Sequence, residues 1–222
     1  YFLLHIDVYI LHGPDESTPL EEIIRAMDDL VSSGKILYAG CSNYKAWEIM
    51  RALSISEKTN STSFITMQNP YSLMNRQLEE EHFSLVRHSG VRIMAYSPLG
   101  IGLLTGIYDS KKDPEDGTLW ARKGYMNEGV YSKLMNNKVV SLLESLVKIS
   151  KKRASTVAQI ALSWVLSHPE VSVAISGADQ IEQIKENILA LDINLDNDEI
   201  SELNDRSKGL NYAIDGAKPE DI

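Results

Sequence analysis

Five short apolar segments recur along the chain, each bounded by turn residues and separated from the next by a stretch of helical periodicity. This alternation restricts the fold more than any other feature. The segments are residues 6–11, 36–41, 64–68, 91–96 and 171–175. They are apolar nearly throughout rather than alternating, as in parallel strands covered on both faces. After the first, Leu20, Ile23, Ile24, Met27, Leu30 and Val31 share one helical face, and Gly34 supplies the left-handed residue of a helix stop. Thr18-Pro19-Leu20-Glu21 reads as a capping box with proline at the first helical position. Helices are expected at about 45–58 and 76–88, then, beyond Tyr96, at about 136–152, 156–167, 181–191 and 196–208, the last capped by Asp196 with Glu199. Residues 97–135 are glycine-rich and aperiodic. A connection that long in a compact domain is usually functional, so this one is expected to serve cofactor or substrate. Residues 209–222 read as a tail.

Strands interleaved with amphipathic helices mean an α/β protein with a parallel sheet. A doubly wound open sheet and part of a (β/α)8 TIM barrel both satisfy the pattern. No Gly-x-Gly-x-x-Gly turn follows any strand, which argues against a dinucleotide-binding open sheet. Five strands are three short of a barrel, and the first residue is Tyr1 rather than Met. The expectation is a single barrel domain over 1–222 that holds strands 4 to 8 with their helices and lacks the first three βα units.

Charge and cysteine content narrow the partners. With 22 Lys+Arg against 31 Asp+Glu the formal charge is −9, which gives no electrostatic reason to bind nucleic acid. No apolar run approaches the roughly 20 residues of a membrane span, so no membrane insertion is expected. One cysteine, Cys41, allows neither an internal disulfide nor a cysteine metal site, which fits a reducing, cytoplasmic setting. An oligomer remains compatible with the composition. Glu79-Glu80-Glu81 and Lys151-Lys152-Arg153 read as solvated helix surface.

In a barrel the active site forms at the carboxyl ends of the strands. The polar residues found there are His12, Ser42-Asn43, Gln68-Asn69, Tyr96-Ser97 and Ser176-Gly177. There is no Gly-x-Ser-x-Gly elbow, no His-Glu-x-x-His, and no His/Asp/Glu cluster at the strand ends, so no metal site is expected. Amides, hydroxyls and a tyrosine ring suit a flat ligand bearing a carboxamide, which amides can orient and a ring can stack beneath. The helix that follows Gly177 offers backbone N–H groups to a phosphate.

The segments from Ile6 to His12, Gly40-Cys41-Ser42-Asn43, Gln68-Asn69-Pro70-Tyr71-Ser72, the run from Ala95 to Gly106, and Gly177-Ala178 with Gln183, Glu186 and Asn187 resemble the aldo-keto reductases in order and spacing. The likeness extends to about Lys208 and looks closest to the bacterial and potassium-channel β-subunit-like branch. It implies reduction of small aldehydes or ketones, as carbonyl substrates, by NADPH, with NADH as the alternative cofactor. By motif match Ser42, Asn43 and Gln68 would hold the nicotinamide carboxamide and Tyr96 would stack on its ring. Ser97, Pro98 and Leu99, with the loop through Gly102 and Leu103, would wrap the pyrophosphate. Gly177, Asp179, Gln183, Glu186 and Asn187 would surround the adenosine end. His12 matches the histidine of the family's catalytic tetrad.

The tetrad's aspartate, tyrosine and lysine precede the His12 strand in the family and are not in this sequence, so these 222 residues by themselves are expected to be inactive. Three departures bear on specificity. Gly13 stands where the family often has tryptophan, Ile107 where relatives carry lysine, and Asp179 near the place where many carry a cation for the 2′-phosphate. A carboxylate repels that phosphate but accepts a hydrogen bond from a 2′-hydroxyl, which favours NADH; Arg122 and Lys123 could restore the charge. Asp179 also fits a helix N-cap. The alternative function is a cofactor-binding regulatory subunit of the channel-β type with little turnover.

Overall fold

A computed structural model describes residues 4–108, 111–114, 119–121 and 130–212. Strands β1 (Ile6–Leu11), β2 (Ile36–Ser42), β3 (Phe64–Pro70), β4 (Arg92–Tyr96) and β5 (Val171–Ile175) form one sheet in sequence order. β1 pairs with β2 and β2 with β3 in parallel, with Ile6 opposite Ile36 and Ser42 opposite Gln68. A doubly wound sheet reverses its strand order at a switch point. Here the order never reverses, so of the two architectures the sequence allows, the winding is that of a (β/α) barrel.

The chain divides into two compact units. One comprises residues up to Asn69, Leu78–Ala95 and Glu170–Val173, and holds most of the sheet with α1 (Leu20–Ser32), α2 (Ala46–Thr59) and α3 (His82–Ser89). Ile24 and Met27 of α1, Ile49 and Ala52 of α2, and Val86 of α3 are buried, as are Ala39, Cys41, Phe64, Met67 and Ile93 of the strands. The register of β2 against β3 shifts between Ala39 and Gly40. A side chain at Gly40 would sit 2.8 Å from Thr66 Cγ2 and 3.1 Å from the Thr66 carbonyl, so only glycine lets these backbones approach so closely. Thr66 Oγ1 in turn donates to the Arg92 carbonyl at 2.9 Å, which links β3 to β4.

Several local expectations are corrected. The box at Thr18 and Glu21 does not form, because the Thr18 hydroxyl donates instead to Asp15 Oδ2 at 2.7 Å and Pro19 takes the cap position. The helix expected over 76–88 is broken into a 3₁₀ turn, Gln77–Glu79, and α3. Arg76 is drawn out of it by the Asn204 carbonyl and the Ser207 hydroxyl, 2.9 and 3.0 Å from Nη1. The strands are not covered throughout, since Ile6, Tyr9, Leu37, Tyr38 and Ile65 are exposed.

The second unit comprises Pro70–Gln77, Tyr96–Pro169 and the chain from Ala174 onward. It holds α4 (Val130–Leu134), α5 (Asn137–Arg153), α6 (Val157–Leu166), α7 (Ile181–Ile188) and α8 (Asn197–Ser207). Trp164 of α6 is its centre, stacked on Tyr71 at a 5.4 Å centroid distance and donating from Nε1 to Asn204 Oδ1 at 3.0 Å. The Arg76 guanidinium lies 5.4 Å from the Trp164 ring centroid, a cation–π contact. Side-chain oxygens of Asn136, Thr156 and Asp196 cap α5, α6 and α8, the last with Glu199 as expected. The helix expected over 181–191 ends at Ile188 and continues as a 3₁₀ turn, Leu189–Asp192. Lys152 and Arg153 are not simply solvated, because both bind the buried Glu199. Within 97–135 lie the 3₁₀ turns Leu103–Thr105 and Leu119–Ala121 and the short α4. Arg122 and Lys123 lie outside the described residues, as does the tail beyond Tyr212.

Candidate functional site

β1, β2 and β3 end side by side, and the residues there are tied to one another by side chains. Ser42, 1% exposed, donates from Oγ to the Gln68 carbonyl at 2.7 Å. Asn43 takes φ +61, a left-handed conformation that asparagine tolerates better than most residues. Its N–H is shared between the Gln68 carbonyl and Asn69 Oδ1, each at 3.3 Å. Its Nδ2 donates to the His12 carbonyl at 3.0 Å. The structure thus brings His12, Ser42, Asn43 and Gln68 together in one unit. Among the described residues, neither the Gln68 side-chain amide nor the His12 imidazole makes a hydrogen bond.

Asn69 is the residue that sequence reasoning left without a role. It is 6% exposed, and its amide oxygen supports the Asn43 backbone. The signal was the Gln-Asn dipeptide at the end of β3, but a one-dimensional pattern cannot say which amide faces a ligand and which braces a neighbour.

Two flanking groups have shifted titration. Burial pushes the Cys41 thiol up to about 12, so it stays protonated and unreactive beside Ser42. Hydrogen bonds from the Ser17 and Thr18 hydroxyls hold Asp15 down at about 2, which keeps the turn after β1 negatively charged.

In the second unit the loop after β4 coils tightly. Ser97, Gly100, Ile101 and Gly102 have φ of +49, +56, +52 and +85. Gly100 N–H donates to the Ser97 carbonyl at 2.9 Å, and Leu104 N–H to the Leu99 carbonyl at 3.1 Å. Pro98 and Leu103 are buried and anchor the loop, while the Tyr96 carbonyl accepts from Tyr71 N–H at 3.2 Å. The N–H groups of Leu99, Ile101 and Gly102 donate to nothing among the described residues. Such a run of unspent backbone donors suits an anion.

The segment before α7 corrects one expectation. Gln180, not Asp179, holds the cap position, and Gln183 Oε1 accepts from the N–H groups of Asp179 at 2.7 Å and Gln180 at 3.2 Å. The Asp179 carboxylate is therefore not spent on capping, and both it and Gly177 are exposed. Asn187 Nδ2 reaches Ser176 Oγ at 3.4 Å, and the Glu186 carbonyl accepts from Gln159 Nε2 of α6 at 2.9 Å. Leu103–Thr105 and α7 both pack on α6, so this one helix supports both halves of the unit's candidate site. Among the described residues no group of three or more His, Cys, Asp or Glu could hold a metal, and no helix is long and apolar enough to cross a membrane.

Known proteins are similar in sequence and fold. The chain is 33% identical over 190 residues to "Probable voltage-gated potassium channel subunit beta" of Arabidopsis thaliana, covering 85% of this chain and 57% of that one. It is also 33% identical over 190 residues to "L-glyceraldehyde 3-phosphate reductase" of Escherichia coli O157:H7, covering 85% and 54%. A crystal structure of a thermostable aldo-keto reductase with the inhibitor epalrestat superposes with a TM-score of 0.70 at 27% identity, over 91% of this chain and 60% of that one. The chain thus spans between 54% and 60% of the length of these proteins. The fold is that of the TIM-barrel type found in these reductases. With the family model for "Aldo/keto reductase family" matching residues 3–208, nearly the whole sheet-and-helix sequence described above, the chain belongs to the aldo/keto reductase family.

Proposed function

We propose that this chain is the larger part of an NAD(P)H-dependent reductase of small aldehydes or ketones. In the whole protein, three further βα units would complete an eight-stranded barrel and bring the tetrad's aspartate, tyrosine and lysine. The observation that carries the proposal is the Gln68 amide, without a partner among the described residues, beside the braced Asn43 and Ser42 at the ends of adjacent strands. A buried or half-buried amide is disfavoured unless something pairs with it, and a carboxamide offers the matching donor and acceptor.

The residues present fit a nicotinamide dinucleotide. Gln68 and Asn43 would orient its carboxamide, with Ser42 fixing the Gln68 backbone between them. Tyr96 would stack on the ring. The unspent N–H groups of Leu99 and Gly102 would meet the pyrophosphate, in a loop whose shape Ser97, Pro98 and Leu103 set. Gly177, Asp179, Gln183, Glu186 and Asn187 would line the adenosine end. When bound, the cofactor supplies a hydride to the carbonyl carbon. His12 would hold the carbonyl oxygen in place as that oxygen gains charge and takes up a proton. Gly13 leaves space on the substrate side, since nothing lies within 4 Å of where a side chain there would begin.

NADH competes with NADPH in this proposal, because Asp179 is free of the cap and Ile107 is exposed where the family resemblance implies lysine. Fluorescence titration with both cofactors tests it. Micromolar binding of either supports the dinucleotide site, and absence of both overturns it. A preference for NADPH of about a hundredfold, near 2.7 kcal/mol, ends the NADH reading alone. An intact mass of the natural protein no greater than that of these 222 residues would remove the completed barrel.

The second reading, a cofactor-binding subunit of the channel-β type, is favoured by exposed apolar groups on the helices. Trp47 is 57% exposed with Met50 beside it on α2, and Ile181, Ile184 and Ile188 share an exposed face of α7. Tight cofactor retention with turnover slower than about one per minute, against typical enzyme rates of about 1–1,000 per second, would select this reading.

A further inference from the structure

Building on the reductase proposal, we infer that Asn69 is a positioning residue for His12, acting through Asn43. The path is continuous and lies within one unit. Asn69 Oδ1 accepts from the Asn43 N–H, the Asn43 backbone is held at φ +61, and Asn43 Nδ2 then meets the His12 carbonyl. Each link is needed by the next. A left-handed asparagine stores conformational strain that persists only when its surroundings hold it. The Gln68 carbonyl shares the same N–H at 3.3 Å and is itself occupied by the Ser42 hydroxyl at 2.7 Å, so Asn69 is the acceptor with capacity to spare. If Asn43 relaxes toward φ < 0, its side chain leaves the His12 carbonyl and the turn at His12-Gly13 loses its tie to β2.

His12 needs such a tie. It follows the last residue of β1, it is exposed, and its imidazole has no hydrogen-bond partner among the described residues, so only the main chain places it. Gly13 next to it meets nothing within 4 Å and adds no steric restraint. An amide bond to the His12 carbonyl fixes the residue without touching the ring, which leaves the ring for substrate.

The test uses Asn69→Leu, which keeps the shape and removes the acceptor, and Asn69→Asp, which keeps an oxygen for the Asn43 N–H. In the whole protein without ligand, the His12 Cε1–H resonance, assigned by its loss in His12→Gln, should move and broaden in Asn69→Leu and stay at the wild-type position in Asn69→Asp. In the whole protein, with NADPH and 4-nitrobenzaldehyde, Asn69→Leu should lower kcat by about tenfold or more. The NADPH dissociation constant should change less than about threefold, and Asn69→Asp should recover most of the rate. A wild-type His12 signal and kcat in Asn69→Leu would overturn the inference, as would equal loss in both variants or a loss confined to cofactor affinity. Failure of the wild-type protein to bind NADPH would instead defeat the reductase proposal and leave the resonance comparison standing as the test of positioning.

Discussion

Arg153 grips Glu199 with two nitrogens, Nε at 3.1 Å from Oε1 and Nη2 at 2.5 Å from Oε2, and the carboxylate they hold is only 4% exposed. Lys152 Nζ adds a contact at 2.9 Å, and the Asp196 N–H another at 3.0 Å. The cluster closes the carboxyl end of α5 onto the amino end of α8, where a carboxylate is also favoured by the helix dipole.

The first prediction follows from this pair. Hydrogen bonding from Arg153 is the main cause that holds the Glu199 carboxyl down at about 2, well below its value near 4.3 in an unfolded chain. A depressed folded pKa gives stability that is present above the unfolded value and lost as pH falls toward the folded one. Arg153→Met should therefore be less stable than wild type by about 2 kcal/mol at pH 7, as expected when a buried carboxylate loses its charge-assisted hydrogen bonds to arginine and keeps only Lys152 and the Asp196 N–H. The gap should shrink between about pH 4.5 and pH 2. Urea denaturation across that range reads both, and equal stability at pH 7 would contradict the assignment.

Cys41 gives the second. Its thiol is buried on β2, and burial raises it to about 12, so thiolate is absent at neutral pH and the sulfur is out of reach. The sequence has one cysteine. A disulfide reagent such as Ellman's at pH 8 should release no fast signal from the folded chain and one equivalent in denaturant. A fast full equivalent without denaturant would mean that β2 opens readily.

Much of this architecture was legible because its causes are local. Continuous apolar runs and amphipathic stretches gave five strands and most helices, and Asp196 with Glu199 marked the start of α8 from spacing alone. Other features depend on partners far away in sequence. Arg76 leaves its expected helix for Asn204 and Ser207, about 130 residues on, and Thr18 abandons its cap for a nearer carboxylate at Asp15. The candidate site divides the same way. Its residue types stood at strand ends in plain sequence, but that Asn69 braces Asn43, that Gln183 rather than Asp179 serves the turn before α7, and that Ser42 donates inward are facts of three-dimensional placement.

Gly40 supplies the third prediction. A methyl group there meets Thr66 Cγ2 at 2.8 Å, the Thr66 carbonyl at 3.1 Å and Ile10 Cγ1 at 3.3 Å. Gly40→Ala should cost about 1–3 kcal/mol through overpacking. Thr66→Ser removes the nearest clash yet keeps the hydroxyl that donates to Arg92. In the Gly40→Ala background it should recover part of the loss, so the double mutant should be more stable than additivity predicts. Thermal unfolding of the four proteins measures the coupling, and strict additivity would show that the backbone carbonyl alone sets the limit.

The fourth prediction separates two residues that the family resemblance treats alike. By that resemblance Ser42 and Gln68 would both hold the carboxamide, but the Ser42 hydroxyl hydrogen is already given to the Gln68 carbonyl and the side chain is sealed from solvent, whereas the Gln68 amide has no partner among the described residues. Removing Gln68 should act on the ligand, and removing Ser42 on the sheet. Gln68→Leu should weaken NADPH binding by about tenfold or more, equivalent to one lost hydrogen bond to a neutral amide, about 1.4 kcal/mol, with little change in unfolding midpoint. Ser42→Ala should weaken binding by less than about threefold but lower stability by about 1 kcal/mol, because the Gln68 carbonyl keeps only the longer, shared bond from Asn43. Titration and denaturation of both variants give the four numbers. A Ser42→Ala protein of wild-type stability with affinity reduced as far as in Gln68→Leu would make Ser42 a direct ligand contact and reverse the division of labour proposed for the two.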